Sequence, residues 1–467
     1  VLIVEAEEEA VYPDRKKWER VRSDPRCETL FGLSQKAAEA KVEAVIQGSR
    51  VRSIQPVWMT GAARRNKSYY EEILKRAEET LALTWQNRAT TISFGRLWIR
   101  NLFLNLPETP QSVDALAPLV DRPLLVLGAG PSLEGCADFL RRRREELRVV
   151  AVDTALPYLL AIGILPDILV SMDAQQLNVK DLLPPPPEGI KLLYDATAAP
   201  SFVRKFPKED RYAYLSHFAE GSIWELLREA GVAIPRIEAG GSVGTTALLL
   251  ADRLRSYRPG EELPIFLAGL DFAFSPGLPH ARMTYTHLLT LTTMRRLAPL
   301  PFLPAHLSRN RVQAPAKGGG ETRTDYVLAS YAAQLRSGAR RFRNVYDLSR
   351  EGVEVGMPIL DQSTAKEMIS GKVWKGSAES AAVVPADAKL EPQAVERFLR
   401  KEWQALHRLA QVIRGEGAGP KEAVSILSEH DYVSYYFPDP EPREDASYFR
   451  RVIASVSYLL RTLNKLL

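Results

Sequence analysis

Two short stretches set glycines and hydroxyl side chains where a strand gives way to a helix. "LLVLGAGPSLEG", Leu124 to Gly135, is an apolar run that breaks into Gly128, Gly130, Pro131 and Ser132. "EAGGSVGTTALLLA", Glu238 to Ala251, breaks in the same way at Gly240, Gly241 and Gly244, beside Ser242, Thr245 and Thr246. Glycine lets a backbone approach a phosphate with no Cβ in between, and the positive end of a helix favours an anion there. One such turn is an ordinary strand-to-helix connection, but two on one sheet point to an anionic ligand. The first turn is not a dinucleotide fingerprint, because Leu133 stands where the third glycine belongs. It is not a P-loop either, since no Gly-Lys-Ser/Thr follows. Ser132 is expected at a helix N-cap, its hydroxyl directed to backbone N–H groups or a ligand oxygen.

Three acids follow apolar runs: Asp153 in "VVAVDTA", Asp173 in "PDILVSMD" and Asp271 in "LAGLDFAF". A carboxylate at a strand's carboxyl end faces the ligand crevice of an open α/β sheet, and Asp153 stands where an acid can bond a ribose hydroxyl. His280 and His287 lie a short loop beyond Asp271.

The elements that must position these residues are legible as alternation. Between "PLLVLG" and "LPIFLAGLDF", apolar runs rich in Val, Ile and Leu alternate with helical stretches, the mark of buried parallel strands. The fold class is α/β, with a Rossmann-like, doubly wound, mainly parallel sheet in a central domain at 116–365. An N-terminal α/β domain at 1–115 opens with "VLIVEA" and ends in a helix from Tyr69 to Leu106, while 366–467 forms a C-terminal helical domain. Two helices are expected in that last region. The second places Tyr448, Val452, Ile453, Val456, Leu459 and Leu460 near one face, with Arg450, Arg451 and Arg461 at its edges. That face either docks on the protein's own helices or receives a helical partner. In the second case a chain ending near Pro385 still folds and binds nucleotide.

Composition narrows the class. At 467 residues the chain exceeds a single ordinary core, and 45% apolar with 25% charged residues is a soluble globular balance. No run approaches the roughly 20 apolar residues of a membrane span. No secretory leader is recognisable, and Cys27 and Cys136 are too few for a disulfide scaffold, so a cytoplasmic location is expected. The net charge of +5 is modest, and clusters such as Arg141 to Arg144 read as solvated helix faces rather than a nucleic-acid surface.

Taken in order, "GAGPSL", "VVAVDTA", "PDILVSMD", "GGSVGTTALLLA" and "LAGLDFAFSPGLPHAR" resemble the Maf (motility accessory factor) flagellin-glycosyltransferase family. That family shares a core with archaeal hydroxymethylpterin diphosphokinases and is similar to bacterial sialyltransferases. "SFGRLWIRNLFLNLP" before the core and "NVYDLSREGVEVGMP" after it fit the same pattern, so the resemblance spans Phe94 to Pro358. It implies transfer of a nonulosonic acid (pseudaminic, legionaminic or sialic-acid-like) from a CMP-activated donor to flagellin Ser or Thr. Gly128, Gly130, Pro131 and Ser132 match the first donor-contacting motif, Gly241, Ser242 and Gly244 the second, and Asp271 the third. Asp153, Asp173 and Thr245 join the expected donor-binding set. The sialyltransferases carry a histidine ahead of a Thr-Asp-containing helix. Here "KGGGETRTDYVLASY" has none, which leaves Asp271, His280 and Glu321 as candidates for the proton-accepting role.

The expected chemistry is displacement at the anomeric carbon with CMP leaving, its phosphate held by N–H groups and hydroxyls at the two glycine turns. The expected partners are a CMP-sugar and flagellin, with no nucleic acid and no membrane span. No tightly bound cofactor is expected, and at most loosely held Mg2+. A pyrophosphokinase is the alternative, with Asp153 and Asp173 holding Mg2+ between ATP phosphates and a pterin. A non-catalytic nucleotide-binding scaffold or flagellin chaperone is the third reading.

Overall fold

The computed structural model describes residues 1–7, 15–48, 51–58, 61–183, 185–216, 221–238, 240–258, 263–274, 278–297, 311–370, 388–417 and 419–467. The chain divides into two compact units, Val1–Ser93 and Phe94–Leu467. The first holds β1 (Leu2–Glu5), α1 (Arg15–Ser23), β2 (Glu28–Phe31), α2 (Gln35–Gly48), α3 (Gly61–Arg65) and the greater part of α4 (Lys67–Asn105). Strands β1 and β2 pair in parallel. Leu30, Ala38, Val42, Ile46, Ile73 and Ala77 form a small core there, built from the apolar stripe of α2 and the first turns of α4. None of the candidate site residues belongs to this unit.

The second unit is built on a nine-stranded sheet. In chain order it carries β3 (Gln111–Ser112), β4 (Leu124–Leu127), α5 (Ala137–Arg143), β5 (Arg148–Val152), α6 (Leu156–Ala161), β6 (Ile168–Ser171) and β7 (Lys191–Asp195). Next come α7 (Pro200–Val203), β8 (Arg211–Ser216), α8 (Ile223–Glu229), β9 (Arg236–Ile237), α9 (Val243–Ser256), β10 (Ile265–Ala268) and α10 (Tyr285–Thr293). A hairpin of β11 (Arg311–Pro315) and β12 (Glu321–Asp325) leads into α11 (Tyr326–Gly338), β13 (Val345–Asp347) and α12 (Gln362–Ser370). Three helices close the chain: α13 (Pro392–Ile413), α14 (Pro420–Glu429) and α15 (Ala446–Leu463).

The sheet order is β13-β10-β4-β5-β6-β7-β8-β3, with β9 also pairing β8, and every neighbouring pair is parallel. This matches the α/β, doubly wound expectation. All residues of β4, β6 and β10 are buried, which is why these strands read as unbroken apolar runs rather than alternating ones. From β4 the chain steps through β5, β6, β7 and β8 in one direction, then returns to lay β10 against the other side of β4. The order therefore reverses at β4, and the crevice beyond the carboxyl ends of β4 and β10 is the topological switch point where such sheets bind ligands.

A second core joins the end of α4 to the C-terminal helices of this unit. Ile99, Leu102 and Phe103 at the end of α4, and Leu106 just past it, pack with Leu215, Ile223 and Leu227 against Phe398, Leu406, Tyr432, Tyr448, Val452, Val456 and Leu459. The face of α15 considered as a partner surface is thus an interior face. Tyr448, Val452, Val456 and Leu459 are buried, and Ile453 and Leu460 are partly covered by the same cluster. A strongly amphipathic helix needs a partner for its apolar stripe, and here the chain itself supplies it.

Candidate functional site

The two glycine turns meet. The loop after β10 runs Gly269, Leu270, Asp271, Phe272, and the Leu270 side chain lies against both turns. A Cβ at Gly128 would fall 2.8 Å from Leu270 Cδ2, and one at Gly244 would fall closer still to the same atom. Gly128 and Gly130 donate their N–H groups to Ala268 O and Gly269 O, each at 2.8 Å. The first turn therefore uses its missing side chains for backbone-to-backbone packing across the switch point. A Gly128→Ala change forces a methyl into the Gly269 carbonyl, and overpacking of that kind costs about 1–3 kcal/mol. Thermal unfolding should show that loss, while Gly135→Ala, whose Cβ would meet nothing within 4 Å, should show none.

Ser132 is not the N-cap. A short 3-10 helix spans Pro131–Cys136, with Gly130 in the cap position and no side-chain cap of its own. Asp271 supplies that function from across the crevice. Its carboxylate accepts from Ser132 N at 2.8 Å and from the Ser132 hydroxyl. Burial pushes the Asp271 carboxyl up, and the nearby Lys317 ammonium opposes that rise. Because Ser132 spends both its N–H and its hydroxyl proton on Asp271, the first turn offers fewer donors to a ligand than its sequence implies.

The second turn is different. Gly241 has φ +74, and Ser242 caps α9 by accepting from Thr245 N at 3.1 Å. The Ser242 and Thr245 hydroxyls lie 3.0 Å apart, so the start of this 14-residue helix presents two hydroxyls beside its leading N–H groups. Tyr331 of α11 lies against Gly241, and Thr246 Oγ1 lies 3.8 Å from Met172 Sδ, just past β6. These contacts place the head of α9 at the carboxyl edge of the sheet.

Along that edge, beyond β5 and β6, the carboxylates gather. Asp153 Oδ2 accepts from the Ser171 hydroxyl at 2.7 Å and Asn178 Nδ2 at 3.0 Å, and its Oδ1 accepts from Thr154 N at 2.8 Å. Burial pushes it up to about 6 despite those bonds. Asp173, raised by burial, accepts from Gln175 N at 2.8 Å. Asp181, absent from the sequence-derived set, joins them: burial first, then Asp153 and Asp173, push it up to about 7. Among the described residues, no three His, Cys, Asp or Glu side chains are arranged to hold a metal ion.

His280 is half-buried, and its neighbour Ala281 donates its N–H to Ala129 O at 2.8 Å, tying the histidine loop to the first turn. His287 instead caps locally, its Nδ1 accepting from Met283 N at 3.2 Å. Glu321 is exposed at the start of β12, opposite Pro315 in the hairpin. Two asparagines of α4 also escape sequence reading. Asn101 Nδ2 donates to Ala174 O and Thr197 O at 3.1 Å, and Asn105 Nδ2 to Ala196 O and Ala198 O at 2.9 Å. They fix the loops that follow β6 and β7, including the one that carries Asp173.

Comparison with known proteins fits this geometry. Residues 100–277 match the family model described as 6-hydroxymethylpterin diphosphokinase MptE-like, a span that holds β3 to β10 and both glycine turns but not β13. An uncharacterised protein of Treponema pallidum (strain Nichols) is 26% identical over 436 residues, covering 87% of this chain and 73% of that one. A second from the same organism is 32% identical over 210 residues, covering 44% and 42%. Among solved structures, the MAf glycosyltransferase from Magnetospirillum magneticum AMB-1 superposes with a TM-score of 0.55 at 13% identity. That match covers 97% of this chain, which spans 66% of the longer protein. The likeness shows a shared fold. Among the described residues no helix is long and apolar enough to cross a membrane.

Proposed function

We propose that this protein is a glycosyltransferase that moves a nonulosonic acid from a CMP-activated donor to Ser or Thr of flagellin. The observation that carries the reading is the meeting of two glycine turns on Leu270 at the sheet's switch point, where a nucleotide-linked anion is the fitting ligand. The fold shared with a Maf glycosyltransferase supports it.

In this reading the acceptor hydroxyl oxygen bonds to the anomeric carbon as the bond from that carbon to the CMP phosphate oxygen breaks, and the electron pair leaves with CMP. The developing phosphate charge rests on the head of α9, on the N–H groups of Val243 and Gly244 and the hydroxyls of Ser242 and Thr245. Asp271 holds Ser132 and so shapes the first turn, and His280 takes the acceptor proton from beside that turn. Removal of a general base costs about 10²–10⁴-fold in rate, so His280→Gln should lower turnover by that factor while CMP still binds. No step is assigned to a metal, and the purified protein should carry less than one equivalent by elemental analysis.

Calorimetry with CMP, ATP plus Mg2+, and NAD tests the donor class. CMP binding with weak ATP binding is expected, and NAD binding would remove the proposal. Tight Mg2+–ATP binding with no response to CMP would favour pyrophosphoryl transfer to a pterin, with Asp153 and Asp173 as the two carboxylates that would hold Mg2+ against the phosphates. Intact-mass comparison of flagellin from cells with and without the gene then tests the acceptor.

A further inference from the structure

We propose that Lys317 is a positioning residue for the donor crevice: its ammonium, buried between Asp347 and the Leu270 carbonyl, holds the Gly269–Phe272 loop in the shape on which both glycine turns are packed. The inference rests on the reading of that crevice as a donor site, but the clamp itself is read from contacts alone.

Lys317 follows β11 in a glycine-rich hairpin turn, yet its side chain is only 2% exposed. Nζ lies 2.7 Å from Asp347 Oδ2, at the end of β13, and donates to Leu270 O at 2.9 Å. Asp347 Oδ1 accepts from Ser349 N at 2.9 Å. Desolvating an ammonium costs several kcal/mol unless it is paired and hydrogen-bonded, so a lysine in this place is held by specific partners.

The loop it grips needs outside support. Gly269 has φ +72 and Phe272 has φ 47, and a bulky residue in the left-handed region persists only where its surroundings over-determine it. Three successive carbonyls receive that support. Leu270 O is taken by Lys317 Nζ, Asp271 O by Val353 N at 2.7 Å, and Phe272 O by the Thr324 hydroxyl at 2.6 Å. Lys317 and Thr324 both come from the hairpin, and Arg323 O adds a fourth tie by accepting from Phe274 N at 3.2 Å. The hairpin is thus a brace behind the crevice. Leu270 packs on Gly128 and Gly244, and Asp271 holds Ser132, so a shift of this loop moves both turns together.

The test separates bracing from simple charge neutralisation. Lys317→Met alone strands the buried Asp347 and should lower the unfolding temperature strongly. Lys317→Met/Asp347→Asn removes the pair together, keeps the acceptor for Ser349 N, and should recover most of that loss. In the double variant, amide hydrogen exchange at Ser132 and Val353 should still be faster by at least about tenfold, and CMP should bind at least about tenfold more weakly. Exchange or CMP affinity equal to the parent protein would overturn the inference, leaving Lys317 only as a counter-charge for Asp347. Thr324→Val, which releases the Phe272 carbonyl without touching a charge, should speed exchange at the same two amides, and it decides the matter if the lysine variants fail to fold. A parent protein that binds no CMP would remove the donor reading, while the exchange data would still report whether Lys317 holds the loop.

Discussion

A chain ended near Pro385 is expected to be insoluble or to lack a cooperative unfolding transition. This follows from the first of the two readings open in the sequence, in which the face of the last helix docks on the protein's own helices. The seven side chains of Ile99, Leu102, Phe103, Leu106, Leu215, Ile223 and Leu227 are buried within a core that α13, α14 and α15 complete. Re-exposing each costs about 1.5–3 kcal/mol, so the total, roughly 10–20 kcal/mol, matches or exceeds the whole stability of an ordinary domain. Phe103 illustrates the dependence, with ring centroids 6.2 Å from Phe398 and 6.1 Å from Tyr432. Polar ties run the same way. Leu390 N donates to Pro110 O at 3.0 Å, and Asp431 Oδ1 accepts from Ser222 N at 2.7 Å. Circular dichroism melts of full-length and shortened protein test this. A soluble short form that melts near the full-length temperature would contradict it.

The sheet was legible because its strands are buried on both faces, so "LLVL", "VVAV", "ILVS" and "IFLA" stand out as apolar runs whatever their neighbours. The hairpin was not. "RVQAP" and "ETRTD" lack the apolar pattern of a strand, and a lysine beside three glycines reads as a solvated turn rather than a buried clamp. Helix α14 was missed for a related reason, since "PKEAVSILSE" is short and follows a glycine-rich break. The glycine turns and Asp271 stand out in the sequence by residue type and position, and the fold brings them together at the switch point. The bond between Asp271 and Ser132 does not stand out, because it joins residues 139 apart in sequence and depends on β4 and β10 being neighbours. Asp181 had no signal in sequence. Its perturbation comes from burial and from two other carboxylates that only the fold brings near.

That perturbation carries a stability consequence. Asp181→Asn is expected to stabilise the protein at pH 8 and to leave it nearly unchanged at pH 4. In the unfolded chain the carboxyl ionises near its ordinary value of 3.8, and in the folded protein it is pushed up to about 7. Across that window the folded state binds the proton and the unfolded state does not, so stability falls as pH rises through it. Each unit of displacement corresponds to about 1.36 kcal/mol, which sets the penalty of ionised Asp181 at up to about 4 kcal/mol. Part of the rise comes from Asp153 and Asp173, which relax when one charge is removed, so a gain of about 2–4 kcal/mol at pH 8 is the expected range. Asparagine keeps the size and a carbonyl acceptor but no charge, so the gain should vanish near pH 4, where the carboxyl of the parent is protonated in the folded state. Denaturant melts of both proteins at the two pH values give the comparison. An equal or lower stability of the variant at pH 8 would mean that Asp181 is paired more favourably than its neighbours imply. If the stabilised variant also loses transfer activity, the acid group is kept for function at the expense of stability, the pattern expected where a site holds like charges together.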